Sequence, residues 1–402
     1  MKKFARFPIF LALGTAVLIA PAVSLTAPLP LAAAAAVSVP TTVTPAADLR
    51  TTLAKVYGEH AYESVIAMQK LFDESESAGD ASGLLGQNGN KMSGMIQDVY
   101  GVNKASKFGA SWTLYNNNLK VYAAAARDND GAGKKKALSN LRAYASDFGK
   151  FMHTLNSRID AGKLEQDLDA YTDLLLKSFD AYADGRYDEA YSAAHDAYTQ
   201  SARVGASLAT SIAAQFPAKY KRTTTQTEAA YFRQHMDQAL GEHAFLAMLL
   251  LEKGSDKKPD YANVKKALDA NTEAMASTHK RLFGEGAAKT FKALWNRHIN
   301  DYITYMNATL IDDAAGRRAA KADLDDFVAD LTAFQTSRLP LNKTKTMQGH
   351  ALHGQHVLAV FDTYHQGDYD RTYRLMGVGY NHMWMMGNML SEAIVKKMPG
   401  MF

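Results

Sequence analysis

The chain repeats itself, because one set of distinctive residues recurs in the same order about 183 positions later. The pattern Phe-Asp-x-Tyr-x-x-Gly-x-Tyr-Asp-x-x-Tyr begins at Phe179 and again at Phe361, an offset of 182 residues. A Glu-His-Ala triplet begins at Glu59 and again at Glu242, an offset of 183. A period of this length indicates a duplicated domain rather than the short unit of a solenoid.

Apolar residues recur at helical spacing from Ala46 onward, with no segment of alternating strand pattern. The predicted helices span about 47–76, 86–100, 103–127, 133–156, 164–184, 187–215, 224–253, 261–283, 287–311, 316–337, 344–365 and 369–397. The sequence therefore predicts an all-α fold of two tandem duplicated antiparallel bundles with about six helices each. Copy one covers 46–216, a linker covers 217–223, and copy two covers 224–398.

The N-terminus has the pattern of an export signal. Lys2, Lys3 and Arg6 precede an apolar run at 8–20, and small residues suited to cleavage follow. We predict a signal peptide at 1–36, a spacer at 37–45, and a secreted or otherwise extracytoplasmic protein for which association with the cell envelope stays open. An uncleaved anchor is the alternative, although the run is short for a span of about 20 residues. No later segment is apolar enough to be a transmembrane segment.

Composition limits the kinds of partner and site. The formal net charge is +4 and falls to near +1 without the three basic residues of 1–36, so nothing indicates a nucleic-acid partner. The chain has no cysteine, so a metal site must use His, Asp, Glu, Met or Tyr.

The two copies differ in the number of their histidines. Nine of the twelve histidines lie in copy two, and only the one in the Glu-His-Ala triplet has a counterpart in copy one. His298 replaces Tyr115 and His353 replaces Tyr171 on seams whose spacing faces a bundle interior. Burying several unpaired imidazoles is costly. Because neutral imidazole is a good ligand for zinc, copper, iron and nickel, a metal ion is the expected partner of these histidines.

The predicted metal site lies in copy two, and we expect copy one to lack it. The candidate ligands are Glu242, His243, His298, His353 and His382. Further ligands or supporting residues could be Asp301, His350, His356, Tyr302 and Met386. Nearby Met and Tyr favour copper or iron, with zinc as a third choice. His279 and His365 are expected to face solvent.

Three other functions stay open. Two inward histidines could hold a b-type haem. A metal-dependent enzyme is a second alternative, although adjacent Glu242 and His243 do not form the Glu-x-x-His motif of a carboxylate-bridged di-iron site. A non-catalytic secreted scaffold with hydrogen-bonded histidines is the third.

A family resemblance rests on a combination of residues in copy two. The chain has Glu-His-Ala from Glu242, Trp-x-x-His-Ile from Trp295, His353, Phe-Asp-x-Tyr-x-x-Gly-x-Tyr-Asp from Phe361 and Tyr-x-His-Met from Tyr380. Together they resemble helical domains of secreted bacterial proteins that often accompany copper amine oxidase-like N-terminal modules. The bundle is also similar to DinB-like and hemerythrin-like metal-binding four-helix bundles. The resemblance implies a helical fold and secretion, but no amine oxidase activity, because the β-rich module is absent.

Overall fold

Twelve α-helices and a short C-terminal 3-10 turn account for most of the described residues, 39–402, of the computed structural model. No strand occurs between these limits, which confirms the predicted all-α class. The signal peptide predicted at 1–36 lies outside the described residues, as do the first two positions of the spacer. None of the twelve helices is long and apolar enough to cross a membrane.

The helices form two successive groups of six, which we call the first half and the second half. The first half comprises α1 Pro45–Phe72, α2 Ala78–Tyr100, α3 Val102–Arg127, α4 Gly131–Leu155, α5 Ala161–Ala183 and α6 Tyr187–Gln215. The second half comprises α7 Glu228–Ser255, α8 Tyr261–Phe283, α9 Glu285–Leu310, α10 Ala314–Thr336, α11 Lys343–His365 and α12 Tyr369–Lys397. Five of the six corresponding pairs have equal lengths, which supports the predicted duplication.

Corresponding helices also begin in corresponding ways. The side chains of Thr44 and Thr227, 183 residues apart, each accept a hydrogen bond from the first turn of α1 and α7. Asp160 and Asn342 do the same for α5 and α11. Such N-caps satisfy backbone N–H groups that have no partner within the helix, so they fix where each helix starts.

The two halves pack against each other, and Pro40–Phe402 forms one compact unit. Helix α1 contacts α7, α2 contacts α12, and α6 contacts α8. The segment predicted as a linker, 217–223, therefore joins two bundles that share an interface.

Matched contacts at this interface are related by an approximate two-fold axis. The hydroxyl of Tyr198 donates to the carbonyl of Gln238, and the hydroxyl of Tyr380 donates to the carbonyl of Lys55, both at 3.1 Å. The two tyrosine hydroxyls lie 3.3 Å apart. Two copies of one domain packed symmetrically would produce this pattern, although the duplication itself stays a prediction.

Candidate metal centre

Three of the predicted ligands converge inside the second half. His243 on α7, His298 on α9 and His353 on α11 are buried, and one ring nitrogen from each lies within 4.8 Å of the others. The Nε2 atoms of His243 and His298 are 3.2 Å apart. Two nitrogens bound at 2.0–2.1 Å to one tetrahedral ion would lie about 3.3 Å apart. His243 and His298 therefore already have the spacing of two ligands, and the three histidines could hold a metal ion.

Helix registers explain why these side chains meet. His298 lies between Trp295 and Tyr302 on the buried face of α9, and all three are at most 3 % exposed. His353 shares the buried face of α11 with Val357. The inward direction predicted for His298 and His353 is confirmed, because residues three and four apart share one face of a helix.

A hydrogen bond fixes the proton of one ring. Trp295 Nε1 donates to His243 Nδ1 at 3.1 Å. A neutral imidazole that accepts at Nδ1 carries its proton at Nε2. Without an ion, His243 Nε2–H therefore donates to His298 Nε2, so a metal bound at His243 Nε2 must displace that proton.

Burial keeps the triad in the neutral form. It lowers the pKa of His243, His298 and His353 well below the ordinary value, and neighbouring imidazoles lower each one further. Uncharged rings of this kind are the form that binds metal, so protons compete weakly for the site near neutral pH.

Two members of the triad have buried ring nitrogens without a hydrogen-bond partner, and His298 contributes one of them, Nδ1. Both ring nitrogens of His353 are buried without a hydrogen-bond partner, as is the hydroxyl of Tyr302. The two rings lie 6.2 Å apart. A buried polar group without a partner costs about 1–3 kcal/mol, and an ion bound to His353 would remove that cost.

The matched histidine in the first half has partners for both of its ring nitrogens. His60 occupies the position of His243, and its ring nitrogens lie 2.6 Å from the Tyr171 hydroxyl and 2.8 Å from Asn116 Oδ1. Tyr171 stands where the second half has His353. The first half thus has a histidine bonded to a tyrosine and an asparagine where the second half has converging imidazoles.

Glu242 faces a different part of the molecule. Its carboxylate accepts hydrogen bonds from the Tyr62 hydroxyl, His195 Nδ1 and Asn271 Nδ2 at 2.7–3.0 Å. Consecutive helical residues point about 100° apart, so Glu242 cannot follow His243 into the triad. Sequence reasoning did not identify His195, because it lies in the half with few histidines.

Two of the other predicted histidines have hydrogen-bond partners of their own, and the third, His356, lies beside one of them. His382 Nε2 donates to the Gly349 carbonyl at 2.8 Å, and its ring lies 5.4 Å from that of His356. His350 Nε2 lies 2.9 Å from Gln335 Oε1. The structure therefore does not bring these three histidines into the triad.

The remaining residues are placed as follows. Asp301 is buried on α9, and burial raises its pKa to about 6. Met386 borders an apolar cavity beside the triad. His279 stacks on Phe291 at 3.9 Å and is only partly exposed, so the expectation that it faces solvent is wrong. His365 is exposed, as expected.

Comparisons with protein families, curated proteins and solved structures found no match to this chain. The functional assignment therefore depends on the geometry of the site.

Proposed function

We propose that the second half binds one transition-metal ion through His243, His298 and His353. The observation that supports it best is the convergence of three buried imidazoles from three helices, one of which has two unpartnered nitrogens. Bundles commonly build metal sites from side chains on facing helices. The role that fits is metal binding, buffering or sensing.

The donor set narrows the choice of ion. Three imidazoles without a carboxylate or thiolate suit copper and zinc, whereas non-haem iron sites commonly add a carboxylate. Among divalent ions, copper binds nitrogen donors most tightly. Copper is therefore our first choice, zinc fits the same donors, and iron is third.

The proposed location is outside the cytoplasm. The basic and apolar pattern of 1–36 supports export, and the absence of cysteine leaves imidazole as the main nitrogen or sulfur donor. Because the chain has no cysteine, the exported protein would bind its ion through histidine and not through thiolate ligands.

Haem fits the site less well than a bare ion. The ring of His298 stacks on Phe327 at 4.4 Å and lies 4.7 Å from Trp295. These aromatic rings fill the flanks that a macrocycle would need. Adding haem to the purified chain should therefore leave its absorption near the Soret region unchanged from that of free haem.

Metal analysis of chain purified without chelators tests the proposal. We expect about one ion per chain, and calorimetric titration of the metal-free chain with Cu²⁺ and Zn²⁺ should give one site. His353→Tyr, which installs the residue of the matched position in the first half, should abolish that site, as should His298→Tyr. The control variants His382→Ala and His350→Ala should still bind one ion.

Two results would refute this function. One is a wild-type chain that takes up no stoichiometric ion from either metal. The other is a folded His353→Tyr variant that binds the ion as tightly as wild type. Circular dichroism of each variant separates loss of binding from loss of fold.

A further inference from the structure

A second site lies on another face of α7, in a cleft of about 370 Å³ between α6, α7 and α8. Pockets for small molecules start at about this size. Its lining combines an apolar surface, formed by Leu246, Ala267, Ala270 and Ala274, with the ionisable pair His195 and Glu242. A second ionisable pair, Asp188 and Lys266, lies at its rim. The three alanines lie on one face of α8, where their small side chains leave the cleft open.

The polar feature of the cleft is a histidine held by a buried carboxylate. His195 Nδ1 lies 2.7 Å from Glu242 Oε1, and the carboxylate also accepts from Tyr62 and Asn271. Three donors hold Glu242 in place, so it fixes the Nδ1–H tautomer and the orientation of the His195 ring. The His195 side chain is 58 % exposed, and its Nε2 has no hydrogen bond to any described residue. That nitrogen is available to a ligand.

The symmetric position in the first half is built differently. Glu59, the counterpart of Glu242, pairs with Lys91 at 2.5 Å. The residue 183 positions after Lys91 is Ala274, which lines the cleft. A lysine side chain thus binds the carboxylate on one side of the molecule, whereas the other side has an alanine, an open cleft and a histidine.

We infer that the cleft binds a small organic carboxylate, which accepts a hydrogen bond from His195 Nε2 while its apolar body covers Leu246 and the alanines of α8. The carboxylate of Glu242 raises the pKa of His195, which favours the charged imidazolium as donor. Hydrogen bonds from charged donors to carboxylates are roughly twice as strong as neutral ones.

The charged residues at the rim of the cleft would not repel a carboxylate ligand. Asp188 already accepts from Lys266 Nζ at 2.7 Å and from Asn263 Nδ2 at 2.8 Å. Its negative charge is therefore offset by the lysine beside it. The site shares no side chain with the histidine triad, so the inference does not depend on metal binding.

Ligand-observed NMR titrations of the purified chain with acetate, hexanoate and benzoate test this site. Benzyl alcohol, which has the same aromatic ring but no charge, is the control for benzoate. We expect hexanoate and benzoate to bind more tightly than acetate, because they have apolar bodies, and benzyl alcohol to bind at least tenfold more weakly than benzoate. His195→Ala should weaken benzoate binding by about tenfold or more. Because His195 is exposed, this variant should fold like wild type.

The matched variant is Ala274→Lys, which copies the lysine of the first half. It should pair with Glu242, fill the cleft and abolish benzoate binding, whereas Lys91→Ala on the opposite side should leave that binding unchanged. The inference is overturned if none of the three carboxylates binds to wild type. It is also overturned if benzoate binds equally well to folded Ala274→Lys or His195→Ala.

Discussion

At the scale of single residues, the indole of Trp295 controls which nitrogen of His243 is available. Its N–H donates to His243 Nδ1, which places the imidazole proton on Nε2, the atom that faces His298. The arrangement stabilises the metal-free core with a hydrogen bond between two imidazoles. It also opposes metal binding, because the ion must displace that proton.

Trp295→Phe should therefore tighten metal binding. Without the indole donor, the proton of His243 can move to Nδ1 and leave Nε2 free to bind. One hydrogen bond contributes about 0.5–1.5 kcal/mol, so we expect affinity for Zn²⁺ to rise roughly threefold to tenfold in a calorimetric titration. Lost packing should lower the free energy of unfolding by about 1–3 kcal/mol.

The matched control is Trp112→Phe in the first half. Trp112 is fully buried, and its Nε1 has no hydrogen-bond partner. This change should cost similar packing energy and leave metal affinity unaltered. Equal or weaker Zn²⁺ affinity in a folded Trp295→Phe variant would contradict the tautomer argument.

At the scale of helices, periodicity predicted all twelve elements and missed some of their ends. Helix α2 starts at Ala78, eight residues before the predicted start at 86. Its N-terminal part includes Gly79, Gly83 and Gly86, which have poor helix propensity, so the local signal is weak. Burial of Leu84 against the core holds the helix together there. Tertiary packing of this kind is not visible in local sequence.

The direction of a site residue can be predicted from the sequence only where its helix has a clear apolar stripe. His298 and His353 lie on faces with a clear apolar stripe, so their direction follows from spacing. Helix α12 is apolar on most sides, so spacing could not fix the direction of His382. Adjacency in the sequence places Glu242 beside His243 among the predicted ligands, although adjacent helical residues face different ways.

Close contact between helices should make Gly387 intolerant of a side chain. A Cβ at Gly387 would lie 2.7 Å from the Asp237 Cα and 2.9 Å from its backbone nitrogen, so α12 would have to move away from α7. We expect Gly387→Ala to lower the free energy of unfolding by about 1–3 kcal/mol in urea denaturation.

Gly83→Ala is the control for this effect. Gly83 is exposed on α2, and an added Cβ there would have no neighbouring atom within 4 Å. The substitution should raise the free energy of unfolding by about 0.5–1 kcal/mol, because alanine favours the helix. A Gly387→Ala variant as stable as Gly83→Ala would mean that α7 and α12 are not packed this closely.

At the scale of the whole molecule, buried charges link the two halves. Lys70 of the first half pairs with Glu252 of the second at 2.5 Å. The five residues of this network are at most 2 % exposed: Gln69, Lys70, Glu252, Lys253 and Asp260. Lys253 of the second half donates to Gln69 of the first at 2.9 Å and pairs with Asp260 at 2.8 Å. Because each lysine reaches across the interface, we expect the halves to unfold together in one transition.

Lys253→Met tests how strongly this network couples the halves. The substitution preserves most of the side-chain volume but leaves the carboxylate of Asp260 buried, with the Tyr191 hydroxyl still donating to it at 2.5 Å. Breaking a buried ion pair by removing one partner costs about 3–5 kcal/mol. Thermal denaturation at neutral pH should therefore show a large fall in the midpoint of one transition that includes both halves.

The double variant Lys253→Met with Asp260→Asn separates an unpaired charge from lost packing. A neutral amide at 260 removes the unpaired charge and keeps an acceptor for Tyr191, so most of the lost stability should return. The coupling free energy between Lys253 and Asp260 follows from comparing the double variant with the two single ones. Two separate transitions in wild type, or a Lys253→Met chain as stable as wild type, would mean that these buried charges do not join the halves into one cooperative unit.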